Sequence, residues 1–177
     1  MPGPIRPLLS AFVALLAGTL LLLVGGCSGP SSYSYHYVPG RTATVSSSGL
    51  AEAPPRAPRA VREAIAAGNR ITGAAYVYGG GHGSGSGGGF DCSGSTSYVL
   101  RAAGVMRGST NSRGFRGYGE HGEGDWISVY ARNGHVFLVV AGLRFDTGWT
   151  GANREGPRWT TRSRPADGCV VRHPEGL

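Results

Sequence analysis

The word Phe90-Asp91-Cys92-Ser93-Gly94 constrains this chain more than any other stretch. It follows a glycine-rich lead-in, Gly79 to Gly89, and opens a segment that reads as a helix from Ser93 to Ala103. Thr96, Val99 or Leu100, and Ala103 share one face of that helix, and Gly104 is a natural stop. A cysteine at a helix start meets free backbone N–H groups and the positive end of the macrodipole. Its thiol is therefore expected to ionise more readily than the ordinary value of about 8.5, and the thiolate is the nucleophile. Most free cysteines are small apolar fillers, but a filler has no use for the space and backbone freedom that a glycine run provides.

A length of 177 residues, 40% of them hydrophobic and only 15% charged, suits one globular domain with a sizeable core. The first residues predict export. Arg6 precedes an apolar run from Leu8 to Val24, which ends in Val24-Gly25-Gly26-Cys27-Ser28. Small residues before Cys27 suit a signal peptidase, and a cysteine at that point resembles the lipobox of bacterial lipoproteins. That resemblance implies a mature N-terminus at a lipidated Cys27 and a place in the cell envelope, anchored to a membrane on its extracytoplasmic face. An uncleaved anchor is the alternative, although the run falls short of the roughly 20 residues that span a bilayer. Residues 1–27 are thus read as a signal peptide, 28–57 as a flexible tether rich in Ser, Pro and Gly, and 58–177 as the folded domain.

Of the three cysteines, a lipidated Cys27 leaves Cys92 and Cys169. Either they pair as a disulfide, which would abolish the nucleophile, or Cys92 is reactive and Cys169 is a filler in an apolar run. The domain opens with a helix from Pro58 to about Asn69, with Val61 and Ile65 on one face and Arg59 paired with Glu63. His82, set among glycines, is expected to be solvated, and the lead-in lacks the spacing and lysine of a phosphate-binding loop. Val105 to Gly124 reads as a long loop.

Beyond that loop the pattern changes to strands: Trp126 to Tyr130, His135 to Val140 and Leu143 to Thr147. Asn133-Gly134 is a strong hairpin signal, so His135 starts its strand beside a tight turn. If Ala141-Gly142 is a two-residue turn, Phe137 faces Asp146 and His135 becomes its diagonal neighbour, within reach of an imidazole and a carboxylate. An odd-length turn would put Asp146 on the other face. His135 is the candidate base for Cys92 and Asp146 the candidate orienting group. The C-terminal part, with Trp159 and a strand candidate from Cys169 to Arg172, is expected to cover one side of the sheet.

In order, Tyr76-Val77-Tyr78-Gly79-Gly80, Asp91-Cys92-Ser93-Gly94, Gly124-Asp125-Trp126-Ile127 and Gly134-His135-Val136 resemble the successive motifs of NlpC-type bacterial cell-wall cysteine peptidases. The resemblance runs from about Pro58 to Thr147. It implies an α+β, papain-like fold, with the nucleophile helix packed on an antiparallel β-sheet, and hydrolysis of amide bonds in peptidoglycan stem peptides. By position it makes Cys92 the nucleophile and His135 the general base, and it puts the Tyr76 hydroxyl near the oxyanion site. Asp91 and Ser93 fall where the family holds the substrate's amino end. The family's third residue, usually His, Asn or Gln, falls near Asp146, so a carboxylate there is a departure. An amidase or acyl transferase on the same scaffold, or a non-catalytic wall-binding lipoprotein, are the alternatives.

No cofactor is expected, and the sequence offers no clustered ligand set of the zinc type. The net charge of +7 comes entirely from arginine and suits anionic wall polymers; a basic stripe with stacking aromatics, as nucleic-acid binding needs, is not found. Arg113, Arg116 and Arg144 are candidates to bind a substrate carboxylate, and the chain is expected to act as a monomer.

Overall fold

The computed structural model describes residues 1, 31–83, 88–148 and 155–177. The expected export signal and Cys27 lie outside the described residues. In chain order the elements are strands β1 (Ser32–Tyr33), β2 (Thr44–Val45) and β3 (Ala51–Glu52), then helices α1 (Arg59–Ile71) and α2 (Cys92–Ala102). A 3-10 turn (Gly114–Gly117) follows. Strands β4 (Glu120–His121), β5 (Ile127–Arg132), β6 (His135–Val140), β7 (Leu143–Asp146), β8 (Arg158–Thr160), β9 (Arg164–Pro165) and β10 (Val170–His173) complete the chain.

The fold is α+β. Six strands form one antiparallel sheet in the order β4-β10-β5-β6-β7-β8. Two tight hairpins set its register. Gly134 takes φ +83° in the turn closed by Arg132 and His135, and Ala141 and Gly142 take φ +46° and +71° in the turn closed by Val140 and Leu143. Positive φ at both central residues is the type I′ geometry, met at Ala141-Gly142 where one of the two is an alanine; in the Asn133-Gly134 turn only the glycine takes it. Leu138 pairs with Phe145, so the even-length reading of the β6–β7 turn holds.

That register sorts β6 into two faces. Val136, Leu138 and Val140 join Val61, Ile65, Val99, Leu100 and Phe145 in the core beneath the helices. Phe137 and Val139 join Tyr130, Ala166, Cys169 and Val171 on the opposite face. Both sides of the sheet are covered, which is why its central strands read as continuous apolar runs. The C-terminal part serves both: Trp159 packs on the helical side and Ala166 to Val171 on the other. Gly68 of α1 makes room for Trp159, since a Cβ there would stand 2.4 Å from the indole.

The tether reading does not describe residues 31–57, which pack on the body. Ala43, Ala51 and Ala57 are buried. The Ala43 N–H donates to the Ala141 carbonyl at 2.8 Å, and the Tyr33 hydroxyl donates to the Gly142 carbonyl. The Asn69 amide clamps Ala51, accepting from its N–H at 2.9 Å and donating to its carbonyl at 3.0 Å. The segment is anchored by small buried residues and side-chain hydrogen bonds, a means that leaves no apolar period in the sequence. Likewise the expected loop over 105–124 contains a 3-10 turn and β4, and is pinned by the fully buried Phe115.

Candidate active site

Helix α2 begins at Cys92 because Asp91 caps it. Asp91 Oδ1 accepts from the Gly94 N–H at 2.6 Å and from the Ser93 hydroxyl at 2.9 Å, while Oδ2 accepts from the Gly79 N–H at 2.9 Å. One carboxylate thereby ties the helix's first turn to the glycine-rich lead-in and satisfies a helix donor that would otherwise be orphaned. Glycine is required at this join, because a Cβ on Gly94 would stand 1.8 Å from the Gly80 carbonyl oxygen. Tyr76 enters the same neighbourhood by backbone pairing with Phe90, two residues before the cysteine.

Asp91 and Ser93 are buried beside Cys92, and their polar atoms are turned to the protein's own groups. His82 is one of them, correcting its expected solvation. Its Nε2 lies 3.2 Å from Asp91 Oδ1 and 3.1 Å from Ser93 Oγ.

The second half of the site comes from the sheet. His135 Nε2 lies 2.8 Å from Asp146 Oδ1, the diagonal contact that the hairpin register sets up. An ionised carboxylate only accepts, so the proton sits on Nε2 and Nδ1 is the basic nitrogen. Nδ1 makes no hydrogen bond among the described residues. The Asp146 carboxylate is fully buried, and Arg164 at 3.0 Å and Arg144 at 3.6 Å hold its other oxygen. Both guanidiniums lie over the Phe137 ring, at 5.8 Å for Arg164 and 6.0 Å for Arg144. Arg144 is 1% exposed, so it cannot reach a substrate carboxylate as expected of it; it neutralises Asp146 instead.

Cys92 lies in the helical core and meets the sheet through backbone. The backbone N–H of Val136, the residue after His135, reaches its sulfur, and the charges of both Asp91 and Asp146 are felt there. Among the described residues the thiol makes no hydrogen bond with the imidazole, a contact that in resting enzymes often tightens only with substrate bound. The expectation of an easily ionised thiol is overturned. Burial pushes the Cys92 thiol up, and Asp91 and Asp146 add to this against the opposing Val136 and Ser93 N–H groups. The helix start alone misled, because desolvation of a buried sulfur cannot be read from its place in a helix.

Cys169 and Cys92 are both free, and the sheet separates them: Cys92 lies in the helical core and Cys169 in the opposite cluster. Arg164 and His82 are the groups that sequence reasoning missed; a basic residue after β8 and a histidine among glycines carry no local signal of their partners. Among the described residues, no group of three or more His, Cys, Asp or Glu side chains is placed to hold a metal ion.

The chain matches no family model and no curated protein. Two solved structures resemble it: the resuscitation promoting factor interacting protein RipA, mutated at a histidine, and Rv1477, a hypothetical invasion protein of Mycobacterium tuberculosis. In each case the identity is 22%, the likeness covers 76% of this chain and 71% of the other, and the TM-score is 0.47. A likeness this distant adds nothing to the assignment of the site.

Proposed function

We propose that the chain is a papain-like cysteine hydrolase that cuts amide bonds in peptidoglycan stem peptides. The observation that carries this reading is the 2.8 Å contact between His135 and Asp146 on β6 and β7, with Cys92 brought to the residue next to His135 at the start of α2. A buried carboxylate that fixes an imidazole's tautomer, with the second nitrogen unbonded among the described residues, is what activation of a nucleophile needs. The choice of stem peptides rests on the order and wording of the four motifs that resemble the NlpC type.

Burial pushes the Cys92 thiol up, which favours proton transfer to the base as attack occurs. His135 Nδ1 takes the Cys92 proton as the sulfur bonds to the scissile carbonyl carbon. The oxyanion is met by the Cys92 N–H, which stands outside the helical ladder, and by the Tyr76 hydroxyl; one such donor is worth about 10² to 10³ in rate. Collapse breaks the C–N bond, and the imidazolium gives its proton to the departing amine. His135 then deprotonates a water that attacks the thioester, and the acid leaves as Cys92 recovers a proton. Asp91 and Ser93 hold the cysteine's helix in place and border the substrate's amino end. Lipidation at Cys27 would keep the enzyme at the envelope membrane.

The test is digestion of purified peptidoglycan by the intact chain beside Cys92→Ala, with products identified by mass. Fragments cut within the stem, absent with the variant, support the proposal. Release of whole stems identifies an amidase, and equal inertness of both proteins toward every wall tried removes the hydrolase reading.

A further inference from the structure

A cleft of about 630 Å³ opens on the far side of α2 from the sheet, bounded by the last turns of α1 and α2 and by the turns at 81–83 and 108–109. This volume lies within the roughly 300–1,000 Å³ usual for small-molecule sites. Arg70, His82, Phe90, Tyr98, Arg101 and Ser109 contribute to its wall, and among the described residues no Asp or Glu does.

The two arginines are held but not neutralised. Arg70 Nε donates to the Tyr98 hydroxyl at 3.3 Å, and one terminal nitrogen of Arg101 donates to the Gly108 carbonyl at 3.1 Å. Neither forms an ion pair among the described residues. Each guanidinium keeps further N–H donors, in the planar fork that suits a carboxylate or phosphate. A basic residue in the last turn of a helix is favoured by the macrodipole, which accounts for the sign of each. It does not account for both helices turning their basic ends into one cleft.

We propose that this cleft is a second binding site, separate from Cys92, for a small ligand bearing a carboxylate or phosphate group. Arg70 and Arg101 clamp the anion, and Tyr98 supplies the flat wall beside it. His82 stands at the rim with its Nε2 on Asp91 and Ser93, and its carbonyl accepts from the Ser109 hydroxyl at 3.0 Å. An occupant of the cleft therefore touches a residue that also holds the cap of α2. The site does not depend on the hydrolase reading and is testable without turnover.

The experiment titrates the full-length ¹⁵N-labelled chain with inorganic phosphate and, separately, with citrate, following the arginine Nε–H and histidine ring signals by NMR. Saturable shifts centred on Arg70, Arg101 and His82 are expected, with binding about tenfold weaker or worse in Arg70→Gln/Arg101→Gln and unchanged in Arg113→Gln/Arg116→Gln. Saturation by phosphate alone assigns the site to phosphoryl groups, and by citrate alone to carboxylates. Arg70→Gln and Arg101→Gln taken singly, each weaker than the parent, keep the test valid if the double variant misfolds. Absence of saturation with either anion, or equal weakening in the Arg113/Arg116 variant, overturns the proposal.

Discussion

Two histidine–aspartate pairs flank Cys92, and they differ in what the carboxylate is committed to. In the pair at the sheet's end, Asp146 is fully buried, makes a 2.8 Å contact with His135 and is balanced from behind by Arg144 and Arg164. In the pair at the helix start, His82 reaches Asp91 at 3.2 Å, but that carboxylate also serves the N–H groups of Gly79 and Gly94 and the Ser93 hydroxyl. The first carboxylate orients an imidazole whose other nitrogen makes no hydrogen bond among the described residues; the second caps a helix and has an imidazole as one of its partners there. A histidine beside an aspartate is therefore not a catalytic signature by itself. The remaining partners of the carboxylate decide.

Substitutions in the two pairs should differ most in turnover. His135→Ala should lower kcat/KM on a muropeptide by about 10⁴-fold, as loss of a triad base does, whereas His82→Ala should lower it by less than about tenfold. Equal losses would erase the distinction between the pairs. Asp146→Asn should cost about 10²-fold or more in kcat with KM little changed, and about 3–5 kcal/mol of stability, because Arg144 and Arg164 would then face a neutral amide. Thermal melts and steady-state kinetics on the same preparation measure both. At the helix start, Gly94→Ala should cost about 3 kcal/mol or more, since its Cβ would meet the Gly80 carbonyl at 1.8 Å, and denaturant melts report it.

The smallest effect concerns pH. Burial raises the Cys92 thiol, so the folded chain holds that proton more tightly than the unfolded chain does. Stability from this group is complete below the ordinary thiol range of about 8.5 and is lost as pH rises through the raised folded value. Cys92 alkylation by iodoacetamide should accordingly inflect above about pH 8.5 in the resting protein. An inflection at or below neutral pH would show a standing thiolate instead.

What the sequence made legible was mostly local geometry. Asn133-Gly134 and Ala141-Gly142 set two tight turns, and the second brings Asp146 diagonal to His135. Gly104 and the apolar face from Thr96 to Ala103 marked α2, although Asp91, one residue ahead of Cys92, proved to be its cap. The rest depended on contacts distant in sequence. Ala43, Ala51 and Ala57 pack a segment whose composition reads as a linker, because small side chains become buried without any apolar period. Arg144 alternates into a buried position opposite the helices, where an exposed substrate contact was expected. The thiol was misjudged for the same reason: position in a helix is local, whereas desolvation is the sum of everything packed around the sulfur.

The proposed hydrolysis passes through a covalent acyl-enzyme, which is detected by intact-mass spectrometry of the protein quenched in acid during turnover of a muropeptide, followed by mapping of the modified peptide. An acyl adduct on Cys92 that disappears in Cys92→Ala together with turnover is expected. Cleavage that persists in Cys92→Ala, or an adduct carried by any other residue, would contradict it.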